Sequence, residues 1–177
     1  MELREVMQKR KSIRQYLTTP VEEEKVKAMI EAAILAPTWK NAQEIRYYVA
    51  VSEEKRQAVL DALVEGNRKK TQNAPVFLIS AVILNRAGFQ KDGTADNELG
   101  NGWGYYDLGL HDENLILRAI ELGLDTLIMG IRDEKAIREA LSIPENELLG
   151  AVIAVGYRAI NPDKPKRKTV DDILKLF

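Results

Sequence analysis

Three cations and a hydroxyl fall within five residues at Arg10-Lys11-Ser12-Ile13-Arg14. Guanidinium forks match phosphate oxygens, and each charge-assisted hydrogen bond contributes about 1.5–3 kcal/mol net. The cluster could therefore hold a phosphomonoester. The alternative is a solvated helix end whose cations face the negative pole of the dipole. A second cluster is Ala36-Pro37-Thr38-Trp39-Lys40-Asn41-Ala42-Gln43. Asn41 and Gln43 each offer amide donors and an acceptor, the equipment for reading a heteroaromatic edge. The alternative is a polar connector with a core tryptophan. A third is Lys166-Arg167-Lys168 in the tail, which reads equally as a solvated charge run or a weak nucleic-acid patch. A fourth is Met129-Gly130, where a glycine would let backbone N–H approach a ligand or simply make a turn.

Other chemistries are closed by composition. The chain has no cysteine, which removes disulfides, thiolate metal sites and thiol nucleophiles. Its one histidine, His111, heads a His-Asp-Glu triplet and reads as a surface or helix-packing residue; no metal site is expected. Gly100-Asn101-Gly102-Trp103-Gly104 has a glycine rhythm without the spacing or preceding strand of a dinucleotide fingerprint. Lys plus Arg (26) against Asp plus Glu (27) gives a net charge of -1, so no global field draws nucleic acid or an anionic membrane. The first residues, MELREVMQKRKSIR, lack the apolar stretch of a signal peptide, and the apolar run from Ala74 to Leu84 is too short to span a bilayer. A cytoplasmic protein with no membrane or nucleic-acid partner is the expectation.

These clusters need elements to position them, and 177 residues suit one domain, 1–177. Leu3, Val6 and Met7 have helical spacing. Thr19-Pro20-Val21-Glu22 reads as a capping box opening a helix with Val26, Met29, Ile30, Ala33 and Ile34 on its core face. Ile45–Val51 reads as a strand, and Ser52 as the cap of a helix reaching about Glu65. Val76–Leu84 is continuously apolar, as in a strand covered on both faces. The stretch from Asn85 to Gly104 is polar and glycine-rich, a candidate lid or binding loop. Helical spacing resumes from Leu108 to Leu122 with Gly123 as its C′ residue, then a strand at Leu124–Met129, a helix at Asp133–Leu141 and a strand at Leu148–Val155. Helices and strands mix without strict alternation, which favours α+β. The tail from Ala159 ends in the apolar Ile173, Leu174, Leu176 and Phe177.

In this order the motifs resemble those of the nitroreductase-like FMN-dependent oxidoreductases. Arg10 to Arg14 is similar to that family's R-x-S-x-R/K signature, and Ala36 to Gln43 to its A-P-S-x-x-N-x-Q segment. Ala74-Pro75-Val76, Gly123-Leu124 with Met129-Gly130, and Arg167-Lys168-Thr169-Val170 resemble its later elements. The resemblance implies a mixed central sheet flanked by helices, with a C-terminal extension embracing the partner of a homodimer. It implies FMN held by Arg10, Lys11, Ser12 and Arg14, with Arg167 or Lys168 completing a phosphate clamp. Pro37, Thr38, Trp39 and Asn41 would come from the partner chain. Gln43 matches the motif, Asn67 would meet the pyrimidine edge, and the backbone of Met129 and Gly130 would lie near flavin N5.

The chain departs from the pattern in three places. Glu44 stands where the family usually has proline, Thr38 replaces serine while keeping the hydroxyl, and His111-Asp112-Glu113 replaces small or amide residues. The implied activity is ping-pong hydride transfer from NAD(P)H through the flavin to a nitro, quinone or related acceptor, with no side chain assigned as catalytic acid or base. The alternatives are a relative performing reductive dehalogenation or enone reduction, and a flavin carrier or regulator without turnover.

Overall fold

The computed structural model describes residues 2–177. Four strands form one sheet: β1 (Ile45–Ala50), β2 (Val76–Ile83), β3 (Asp125–Met129) and β4 (Glu147–Gly156), in the order β1-β2-β4-β3. Every pairing between them is antiparallel. The expected mixed sheet is thus antiparallel in its strands, and its parallel component is a single bridge from Ser12 to Thr126 at the β3 edge.

Burial on both faces explains why β2 is apolar at every position but Ser80. Phe77 and Ile79 face a core shared with Val59, Leu60 and Ile137, from α3 (Glu53–Asp61) and α6 (Glu134–Leu141). Val76 and Leu78 face the opposite core, shared with Met29 and Ala33 of α2 (Glu23–Ala33) and Leu115 and Ala119 of α5 (Gly102–Glu121). Both sheet faces are covered, so period-two alternation of polarity is lost, as in any strand buried on two sides. At about 25 cal/mol per Å² of apolar surface, these two layers supply most of the drive to fold.

Where tertiary contacts outweigh local signals, element ends move. The capping box does not form: α2 begins at Glu23, and Glu22 caps it without a side-chain bond. The Glu22 carboxylate is instead taken by the Tyr157 hydroxyl at 2.8 Å and the Lys25 ammonium at 3.2 Å. The helix expected from Ser52 to Glu65 stops at Asp61, because Ala62 and Leu63 turn inward. The Ala62 carbonyl accepts the Asp133 N–H at 2.7 Å and Leu63 bridges to Arg132. A separate α4 (Glu65–Thr71) follows. α5 starts six residues earlier than Leu108, at Gly102 (108 − 102). Gly104 makes that start possible, since a Cβ there would lie 2.5 Å from Val82 Cγ1. Gly123 does close α5 with φ +79°, its N–H donating to the Ile120 carbonyl.

The polar stretch before α5 is an ordered loop. Its ends are tied by Asn101 Nδ2 donating to Asn85 Oδ1 at 3.0 Å, and Phe89 bridges to Ala95 within it. That geometry is an Ω-type loop with its own internal bonds. The tail beyond Tyr157 has no helix or strand, and Ile173, Leu174, Leu176 and Phe177 lie exposed. No helix among the described residues is long and apolar enough to cross a membrane.

Candidate active site

The segment after α1 (Leu3–Lys9) runs along the β3 edge. The Ile13 N–H donates to the Thr126 carbonyl at 3.0 Å, and the Leu17 N–H to Tyr157 at 2.9 Å. Ile13 and Tyr16 are buried beneath it, so the polar residues between and before them are turned outward. Arg10, Lys11, Ser12 and Arg14 there line a cleft of about 80 Å³ whose opposite wall is the tail: Pro162, Asp163, Lys164, Pro165 and Arg167. Residues about 150 positions apart in sequence thus form one cationic cleft, as the Lys11–Asn161 separation of 150 marks.

The tail is strapped in place. The Lys11 ammonium donates to Asn161 Oδ1 at 2.9 Å and to the Pro162 carbonyl at 2.8 Å. Asn161 Oδ1 also accepts from Arg158 Nη1 at 2.9 Å, and Arg158 pairs with the buried Asp125 through Nε at 2.7 Å and Nη2 at 2.5 Å. The Lys164 ammonium, which donates to the Met7 carbonyl at 3.2 Å, is held below the usual lysine range. Partial loss of water is the main cause, and the neighbouring charges of Arg10, Lys11 and Arg167 add to it. Five cations (Arg10, Lys11, Arg14, Lys164 and Arg167) against the one carboxylate of Asp163 give the cleft lining an excess of positive charge that a dianion would relieve. The donor set of forks, ammonium and Ser12 hydroxyl fits a phosphomonoester.

The other motif residues lie elsewhere. Thr38, Asn41 and Gln43 line a cleft of about 380 Å³ with Ile30, Ile34, Tyr47 and His111. It opens beside β1, at the sheet edge opposite β3. The loop is tightly wound: Lys40, Asn41 and Gln43 have φ of 47°, 56° and 50°, and Gln43 N–H donates to Thr38 Oγ1 at 3.1 Å. Trp39 packs on Trp103 with ring centroids 4.4 Å apart, while Pro37 is exposed at the entry to the loop. Met129 is buried at the end of β3 and Gly130 exposed after it. Asn67 lies in the first turn of α4, which follows the Leu63–Arg132 bridge. Lys168 lies outside the cleft that Arg167 lines.

Sequence reading missed two groups. Lys164 belongs to a basic run that carries no sign of which member turns inward. Glu44, Asp107 and Asp112 are buried carboxyls, although acidic residues usually read as surface. Asp112 accepts from Tyr47 Oη at 2.9 Å and Ser80 Oγ at 3.0 Å. Burial nonetheless pushes it up to about 6, against the lowering effect of those two donors. His111 is a helix-packing residue, with Nδ1 3.0 Å from the Asp107 carbonyl oxygen.

The chain is thus an α+β protein with both sheet faces covered and a cationic cleft at one sheet edge. The profile of the Nitroreductase family matches residues 7–157, and the chain belongs to that family. It is 28% identical over 152 residues to an Archaeoglobus fulgidus protein named NADH dehydrogenase/NAD(P)H nitroreductase, covering 84% of this chain and 80% of that one. It is 28% identical over 160 residues to the NADPH-flavin oxidoreductase of Vibrio harveyi, covering 88% of this chain and 66% of that protein. A protein of Exiguobacterium sibiricum solved in complex with FMN has the same fold, with a TM-score of 0.87 at 20% identity over 100% of this chain and 98% of that one.

Proposed function

We propose that the chain is an FMN-dependent NAD(P)H oxidoreductase, one unit over 1–177, acting as a homodimer. The observation that carries this is the cationic cleft built from both ends of the sequence. Arg10, Ser12, Arg14, Lys164 and Arg167 bind the flavin phosphate there, while Lys11 holds the tail that brings Lys164 and Arg167 in. Lys168 stands beside Arg167 to add charge at the cleft rim. Ser12 bridges to Thr126 at the start of β3, and Met129 ends it. Three residues of edge strand are about 10 Å, a span suited to a ribityl chain lying along it. Backbone at Met129 and Gly130 then faces the redox-active part of the ring, with Asn67 meeting the pyrimidine edge.

The opposite placement of the second motif supports the dimer. One flavin cannot meet the β3 edge and the β1 edge of the same chain, so Pro37, Thr38, Trp39, Asn41 and Gln43 serve the partner's cofactor. The exposed apolar tail from Val170 to Phe177 suits burial against that partner. When bound, FMN supplies a two-electron relay from NAD(P)H to a nitro, quinone or related acceptor in ping-pong order. The protein's part is to fix the phosphate, orient the ring and place cations and N–H groups where negative charge develops.

The purified protein should be yellow and should bleach on anaerobic addition of NADH or NADPH. The double variant Arg10→Ala/Arg167→Ala should stay folded and lose its colour on dialysis. Stoichiometric flavin retained by that variant would overturn the assignment.

A further inference from the structure

Glu44 follows the Thr38–Gln43 loop directly and is fully buried, with neither carboxyl oxygen meeting a hydrogen-bond partner. A buried carboxylate without a donor is strongly disfavoured in its charged form. The groups that face it are few. Asp107, buried on α5, opposes its ionisation, while the Glu44 backbone N–H and, more weakly, the exposed Arg86 from the loop after β2 favour it. His111, one turn along α5, points its Nδ1 at the Asp107 backbone carbonyl. Asp112 is occupied by Tyr47 and Ser80.

The two facing carboxyls are not equivalent. Asp107 Oδ2 already accepts the Trp39 backbone N–H at 2.6 Å. At Glu44 its own backbone N–H and Arg86 favour the carboxylate less than burial disfavours it, so the proton of the pair resides on Glu44, whose O–H can turn to donate to Asp107. Burial, followed by Asp107, pushes the Glu44 carboxyl up to about 7. Asp107 thus ties α5 to the loop at Trp39, and the loop holds left-handed backbone at Lys40, Asn41 and Gln43 that needs external restraint.

We propose that Glu44 and Asp107 share one proton and that this proton locks the Thr38–Gln43 loop, making Glu44 a positioning residue for cofactor binding. Loss of the proton sets two buried charges against each other and loosens the Asp107–Trp39 tie. The structural half stands alone, while the consequence for the cofactor rests on the function proposed above.

The chain provides its own probe. Its two tryptophans, Trp39 and Trp103, are the touching pair beside this loop, so selectively excited tryptophan fluorescence reports on it. Scanned on the purified protein from about pH 5.5 to about 8.5, the signal should titrate once with a midpoint near 7. Glu44→Gln should abolish the inflection and keep the low-pH spectrum throughout. Asp107→Asn, an independent variant that removes the like charge, should move the midpoint to lower pH. FMN affinity should fall by up to about tenfold per pH unit above the midpoint in the wild type and stay flat in Glu44→Gln. A flat wild-type tryptophan signal, or an inflection unchanged in Glu44→Gln, overturns the proton sharing. A normal tryptophan titration with pH-independent FMN affinity overturns the link to the cofactor. Failure to bind FMN at any pH refutes the proposed function but leaves the tryptophan result to decide the lock.

Discussion

Replacing Asp125 by alanine tests whether the tail is held by the ion pair at the start of β3. Asp125 is 2% exposed and receives two hydrogen bonds from Arg158, whose side chain is 31% exposed. Removing one member of a fully buried pair costs about 3–5 kcal/mol. Water reaches part of the Arg158 guanidinium, so the lower value of about 2–3 kcal/mol applies. For a chain of this size that is a fall in Tm of about 4–12 °C. Arg158 also fixes Asn161, which accepts from Lys11, so the loosened tail should weaken FMN binding by up to about tenfold. Urea unfolding and FMN titration measure the two effects separately. The double variant Asp125→Ala/Arg158→Met should recover most of the stability but not the affinity, because no charge is then stranded. An unfolding midpoint unchanged by Asp125→Ala would refute the energetic reasoning. A large loss of stability with FMN affinity intact would refute the relay to Lys11.

Stability should fall as pH rises from about 5 to about 8. Glu44 and Asp112 are pushed up to about 7 and about 6, so the folded chain keeps protons that the unfolded chain has released. Each contributes at most about 1.4 kcal/mol per pH unit across its window, and the loss is complete above the folded value. Urea midpoints that climb steadily over this range would contradict the assignment. Two glycines should respond oppositely to alanine. A Cβ at Gly150 would lie 2.3 Å from Leu108 Cδ2 and 3.3 Å from the Ser80 carbonyl oxygen, so Gly150→Ala should cost about 1–3 kcal/mol. Gly66 in α4 has nothing within 4 Å of its Cβ position, and Gly66→Ala should stabilise by about 0.5–1 kcal/mol. Equal thermal shifts from the two would refute this distinction.

What could be read from the chain follows the range of the forces involved. The doubly buried β2 and the Gly123 helix end are local patterns, and they survive because packing agrees with them. The pairing of Arg10–Arg14 with Arg167 is not local, and it was legible only as an ordered set of motifs. The failed capping box at Thr19–Glu22 and the break at Ala62–Leu63 are decided by partners far along the chain, Tyr157 and Asp133. The antiparallel character of the sheet depends on pairings that no single strand encodes. Glu44 was visible as a departure from the family proline, yet its burial against Asp107 is a fact of the folded state. Lys164 looked like any member of a solvated run until the Lys11 strap brought the tail back to the first helix.

The central claim is that the cationic cleft binds the phosphate of FMN, and comparison with riboflavin, which lacks that group, tests it most directly. Two charge-assisted hydrogen bonds to the phosphate amount to about 3–6 kcal/mol, or at least about a hundredfold in affinity. The protein stripped of flavin and titrated with each compound should therefore bind FMN at least about a hundred times more tightly than riboflavin, and Arg10→Ala/Arg167→Ala should erase most of that gap. Equal affinity for the two flavins in the unaltered protein would contradict the account.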